Sequence, residues 1–249
     1  MRGAEHGVSC ELPVCPIDMV SGDGVRMISV IIPALNEEKA LPATLARVLE
    51  QARGCEIIVV DGGSTDATCA TARSFSGVEL LTAPRGRASQ MNAGARVAGG
   101  SWLLFLHADT LLPQDGLARI AALPETVGAG CFRHRFSGEH LGIRFVSWLH
   151  NLRCACTGVI YGDQAMFIRR SLFESLGGFP DVDVLEDLIF GERLARLARP
   201  TVIPVEVVND SRKFVKMGVF RSFVRVVAIL VCYELRLPLW ARAFFDPVR

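Results

Sequence analysis

Apolar positions change their spacing along the chain, and the elements follow from those changes. Residues 27–33 (MISVIIP) are an unbroken apolar, β-branched run, as in a strand covered on both faces of a parallel sheet. A polar loop, Ala34-Leu35-Asn36-Glu37-Glu38, follows, and then Leu41, Leu45, Val48 and Leu49 lie on one helical stripe. The strand pattern returns at residues 56–60 (EIIVV), 78–83 and 102–106 (WLLFL), with a helix expected over 88–98. Residues 61–66 (DGGSTD) supply a turn and capping residues for a further helix. This alternation predicts an α/β fold with an open, mostly parallel, doubly wound sheet.

The second half is less regular. Strands are expected over 130–136 and 159–169 around a helix near 142–152, followed by a helix over 185–198, a strand over 201–208 and a mostly helical tail from Lys216. With no repeat or linker, residues 27–210 are read as one domain. Residues 1–26 lack periodicity and are expected to be a poorly ordered extension, and residues 211–249 a helical tail on or beside the domain.

Composition narrows this reading. Half of the 249 residues are hydrophobic and 21% are charged, which supports a sizeable core and excludes global disorder. Lys+Arg 27 against Asp+Glu 26 argues against a nucleic-acid partner. The charge is uneven, however: from Ser211 onward eight basic residues accompany two acidic ones. Three readings of that tail stand side by side. Residues 211–213 (SRK) close over a negatively charged ligand; or residues 219–233, with Arg221 and Arg225 beside Phe220, Phe223 and Val224, lie on an anionic membrane; or the helix docks on the sheet with its arginines outward. No apolar run approaches the roughly 18 residues of a membrane span. The N-terminus lacks the layout of a secretory signal, so the expected location is cytoplasmic, with the inner membrane face as the alternative. The eight cysteines show no zinc-site spacing and are expected to be reduced, buried hydrophobes.

In open α/β sheets ligands bind outside the carboxyl ends of the strands. Four polar segments directly follow apolar strands: 34–38, 61–66, 84–92 and 107–110. Acids at two of them, Asp61 and Asp109, call for a neutralising cation or donor groups. Arg85, Arg87, Gln90 and Asn92 open a helix, where amides and guanidinium groups suit phosphate. Acid, metal and phosphate together point to a nucleotide diphosphate.

The segments ISVIIPALNEE (28–38), IIVVDGGSTDAT (57–68), RGRASQMNAGA (85–95) and LLFLHADT (103–110) occur in the order and spacing of family 2 glycosyltransferases of the GT-A fold. The third and fourth most resemble the bacterial subgroup labelled radical-SAM/selenodomain-associated transferase 2. The resemblance implies a nucleotide-sugar donor, UDP-linked by expectation, and a small-molecule or lipid acceptor. It implies that Pro33, Leu35 and Glu37 line the base and ribose and that Asp61 accepts a hydrogen bond from them; Arg85, Arg87 and Asn92, from their place at the helix start, are expected to serve the diphosphate. Asp109 matches the last acid of the family's DxD signature, which holds Mg²⁺ or Mn²⁺. The first position is His107 instead, and strand alternation turns both side chains the same way. Imidazole suits Mn²⁺ better than Mg²⁺. Asp187, with Glu186 second, matches the general base of inverting members. Three rival readings stand beside this one. A haloacid-dehalogenase-type phosphatase needs a second aspartate where Gly63 stands, and a sugar nucleotidylyltransferase needs a Gly-rich, Arg-containing loop where Ala34-Leu35-Asn36-Glu37 stands. The third is a sugar-nucleotide binding protein without catalysis.

Overall fold

The computed structural model describes residues 28–236; the expected N-terminal extension and the end of the tail lie outside them. The first half runs β1 (Ile28–Ala34), α1 (Leu41–Leu49), β2 (Glu56–Asp61), α2 (Thr68–Ser74), β3 (Val78–Thr82), α3 (Arg87–Val97) and β4 (Trp102–Phe105). It continues through β5 (Thr110–Leu111), α4 (Gly116–Ala121), β6 (Ala129–Phe136), α5 (Leu141–Thr157), β7 (Phe167–Arg169) and α6 (Arg170–Ser175). Then follow α7 (Glu186–Leu197), β8 (Thr201–Asn209), α8 (Arg212–Lys216) and α9 (Val219–Glu234).

The strands form one mixed sheet in the order β3-β2-β1-β4-β7-β6-β8-β5. β1 lies between β2 and β4, and β3 beyond β2, all parallel as the alternation predicts. β7 runs antiparallel to β4 and β6, β8 parallel to β6, and β5 antiparallel to β8. Every antiparallel pairing thus involves a strand of the second half, whose periodicity is weak.

β1, β2 and β4 are buried at every position because both sheet faces are covered. Strand alternation sends Val30 and Ile32 to one core layer with Leu41, Leu45 and Val48 of α1. Ile31 goes to the other, with Met91 and Ala95 of α3 and the aromatic group Phe105, Phe173, Phe179 and Phe190. Gly94 lets α3 reach the sheet: a Cβ there would lie 2.5 Å from Ile31 Cγ2.

Three expectations need correction. The strand expected over 159–169 is confined to β7; before it stand a 3₁₀ turn, Gly162–Gln164, and Ala165 at φ +49°. The Gln164 side chain accepts the Tyr161 amide at 3.2 Å, a local bond that competes with strand pairing. The helix near 142–152 extends to Thr157 and ends on Gly158 at φ +72°, a left-handed cap. Among the described cysteines only Cys131 and Cys154 are buried, their Sγ atoms 4.0 Å apart; Cys55, Cys69 and Cys232 are half-buried and Cys156 is exposed. β5, α4 and α6 were not expected, because two to six residues hold too little periodicity to read.

Candidate active site

The carboxyl ends of β1 and β2 are laced into one wall. Asn36, at φ +54°, turns its side chain to accept the Thr65 amide at 2.9 Å, while its own amide donates to Ser64 Oγ at 2.9 Å. The Glu37 amide donates to Thr68 Oγ1 at 2.8 Å, and Glu38 Oε2 accepts the Ala67 amide at 3.0 Å. Asp61 is buried and accepts the amides of Gly63 and Ser64 at 2.9 and 3.0 Å. Burial alone would raise its pKa, but bonds from the Ser64 hydroxyl and from the Ser64 and Gly63 amides hold it below the ordinary carboxylate value. Gln90 Nε2 donates to the carbonyls of Ala34 and Val60 at 2.8 and 2.7 Å, tying α3 to both strand ends.

Two adjoining clefts open at this edge. The first, about 330 Å³, is lined by Asn36, Glu37, Glu38 and Asp66, by Lys39, Arg212 and Lys216, and by Asp109 and Asp210. The second, about 350 Å³, takes Asp109 and Asp210 as its near wall. It adds Arg87, His107, Tyr161, Asp163, Asp187 and Asn209, with Val226, Ile229 and Leu230 of α9 on its apolar side. The Asp210 amide donates to the Asp109 carbonyl at 3.0 Å, so the two acids of the shared wall are fixed by backbone pairing.

Asp187 enters the second cleft from a strained start. Leu185 precedes α7 at φ +64°, a costly conformation for a non-glycine residue and one that clusters at functional sites. Asp187 Oδ2 accepts the Gly162 amide and Oδ1 the Leu188 amide, both at 2.8 Å. Gly162 also carries His107 close by: a Cβ there would lie 2.8 Å from His107 Nε2 and 3.3 Å from Asp187 Oδ2. Glu186 turns the other way, buried, with Arg87 Nε 2.7 Å from its Oε1.

The charges in this cleft hold one another. Burial alone would lower the Arg87 pKa, but Glu186, Asp187, Asp163 and Asp109 outweigh it and keep the guanidinium protonated. Burial, then Arg87, push His107 below its ordinary value against the pull of Asp109, Asp163 and Asp187, leaving a neutral imidazole at pH 7. Asp163 sits 3.3 Å from His150 Nε2 and 3.6 Å from His134 Nε2. Burial would raise it, but His150 and His134 bring it below the ordinary carboxylate range. Asn209 joins the halves of the chain, accepting Thr110 Oγ1 at 2.6 Å and donating to the Asp163 carbonyl at 2.8 Å.

The structure thus brings Arg87, His107, Asp109 and Asp187 into one cleft and Glu37 into its neighbour. Other residues singled out by sequence lie elsewhere. Pro33 is buried in β1 and Leu35 is half-buried, and neither lines either of these two clefts. Arg85 is exposed outside both. Asn92 brackets Phe179, donating to its carbonyl at 2.8 Å and accepting its amide at 3.0 Å, and so anchors the loop before α7. Glu186 is a buried ion-pair partner rather than a wall of the cleft. Sequence reasoning missed Asp210 and Asn209, although both end an apolar strand, β8, as Asp61 and Asp109 end theirs. Nor does any spacing in the sequence mark the cluster that His134 and His150 form with Asp163.

Among the described residues no three His, Cys, Asp or Glu side chains form a ready-made metal cage. One or two carboxylates, such as Asp109 and Asp210, fit a divalent cation that takes its other ligands from a diphosphate and water.

This mixed sheet, with acid-walled clefts at its carboxyl edge, has the GT-A fold of glycosyltransferases. The family model described as Glycosyl transferase family 2 matches residues 29–176, and the chain belongs to that family. It is 37% identical over 167 residues to a PGL/p-HBAD biosynthesis glycosyltransferase of Mycobacterium tuberculosis, covering 61% of this chain and 63% of that one. The chain therefore spans under two thirds of that relative's length. The mannosyltransferase PcManGT from Pyrobaculum calidifontis, solved with GDP-Man and Mn²⁺, superposes with a TM-score of 0.57 at 26% identity, covering 79% of this chain and 60% of that one. The S. aureus TarS fragment 1–349 with UDP-GlcNAc shares the fold, with a TM-score of 0.61 at 19% identity over 75% of this chain and 59% of that one.

Proposed function

We propose that this protein transfers a glycosyl group from a nucleotide-diphosphate sugar, UDP-linked in the first instance, to an acceptor hydroxyl with inversion. One observation carries the reading: Asp187, His107 and Arg87 share a cleft with Asp109, and Asp109 also walls the neighbouring loop-lined cleft. The nucleotide occupies the first cleft, against the laced loops with Glu37, and Lys39, Arg212 and Lys216 offset its charge. The sugar projects into the second. Asp187 takes the acceptor O–H proton as that oxygen bonds to the anomeric carbon; the anomeric C–O bond breaks and its electron pair leaves with the nucleoside diphosphate. Arg87, kept protonated by its carboxylate neighbours, faces the charge that grows on the leaving group. A divalent cation held by Asp109, with His107 as second donor, would neutralise the diphosphate when bound. His107, as a neutral imidazole, keeps a nitrogen available for that metal or for the sugar.

The test is a thermal-shift screen of UDP- and GDP-sugars with and without Mn²⁺. Stabilisation by a UDP-sugar, larger with Mn²⁺ than with Mg²⁺, and slow release of UDP are expected. A shift with no release would indicate a binding protein; no shift with any nucleotide sugar would end the reading. A finer check concerns the turn that holds the base. Gly162→Ala should lower turnover about tenfold, because the added methyl must displace the His107 ring or the Asp187 carboxylate, and misplacements on that scale are costly. Turnover equal to the parent's would remove Gly162 from that role.

A further inference from the structure

Two helices leave a long apolar face uncovered. On α5, Leu141, Phe145, Trp148 and Leu152 fall on one stripe and all are exposed, Leu141 to 78%. On α9, Phe220, Val224, Val227 and Val231 repeat the same steps and are exposed in turn, Phe220 to 79%. The two helices touch near their starts, beside these stripes. A Cβ on Gly142 would lie 3.1 Å from Val219 Cγ1, and the Phe145 ring sits 6.5 Å from Phe223 and stacks 5.8 Å from Trp148.

The surrounding charge selects the occupant. Arg144, Arg221 and Arg236 are exposed on and beside these helices, against exposed Glu139 and Glu234. A basic rim around an apolar stripe complements anionic headgroups above acyl chains. The sequence that follows, residues 237–249 (LPLWARAFFDPVR), sets Trp240, Phe244 and Phe245 among two arginines, Arg242 and Arg249, and one acid, Asp246, a composition compatible with an interfacial segment. Among the described residues no helix is long and apolar enough to cross a membrane. The inner side of α9 meanwhile borders the second cleft through Val226, Ile229 and Leu230.

We propose that the joined outer faces of α5 and α9 dock on an anionic lipid surface and so set the second cleft beside an acceptor held in that surface. The acceptor clause rests on the glycosyl-transfer reading; the docking clause does not. Docking is tested with the full chain by co-sedimentation with vesicles of phosphatidylglycerol and phosphatidylcholine, and of phosphatidylcholine alone. The expected result is binding to the anionic vesicles that weakens with added salt. Arg221→Ala should weaken it about fivefold and Phe220→Ser at least tenfold. Both positions are exposed, and unchanged thermal stability and nucleotide-sugar shift in each variant serve as the folding control. Absence of binding to anionic vesicles, equal binding to neutral ones, or a dimer that Phe220→Ser dissolves in place of vesicle binding would each overturn the docking. Vesicle binding by a protein that no nucleotide sugar stabilises would support the docking and remove only the transfer reading.

Discussion

Asp187→Asn is expected to lose transfer by 10²- to 10⁴-fold, the range associated with a positioned general base, while donor binding stays near the parent's. Each Asp187 oxygen already accepts one backbone amide, from Gly162 or Leu188, which fixes the carboxylate and leaves further lone pairs for an acceptor hydroxyl. Asparagine keeps the shape but not the basicity, and its NH₂ must face one of those amide donors, a loss of about 1 kcal/mol of stability. The measurement pairs UDP release with the nucleotide-sugar thermal shift on the same sample. Turnover within threefold of the parent would take Asp187 out of the mechanism. Loss of both turnover and donor stabilisation would show that the carboxylate serves binding instead.

Gly130→Ala should destabilise the whole domain by roughly 2–4 kcal/mol, about 4–16 °C in Tm for a chain of this size. Gly130 pairs with Phe167 of β7 on one side and Thr201 of β8 on the other. An added Cβ would stand 2.2 Å from the Thr201 carbonyl oxygen and 2.4 Å from Phe167 Cζ. Thr201 cannot retreat without opening the β6–β8 ladder. Phe167 is held edge-on between Trp102 and Phe132, at 5.6 and 5.8 Å between ring centroids. Gly99→Ala is the control, since a Cβ there meets Glu56 Oε2 at 4.0 Å and within 4 Å nothing else; its change should stay near 0.5 kcal/mol. Equal melting temperatures for the two variants, measured by calorimetry, would mean that the β6–β7–β8 junction yields more easily than its packing indicates.

The sequence by itself determined the parallel half of the sheet, because runs such as ISVIIP and EIIVV bury both faces and leave no other pairing that hides them. It also placed Asp109, His107 and Arg87 at the carboxyl edge of the sheet, since polar residues directly after an apolar strand fall at its open end. Tertiary structure decided the rest. Asn92 and Gln90 look like ligand residues on a helix's first turns, but their amides meet backbone groups of Phe179, Ala34 and Val60, partners 30 to 87 residues away. Which of Glu186 and Asp187 enters the cleft was set by the left-handed Leu185 and by Arg87 reaching Glu186 across the site. Asp210 became a wall of both clefts only when β8 laid its end beside β5. That pairing joins Thr110 to Asn209 across 99 residues, a contact that no local period encodes.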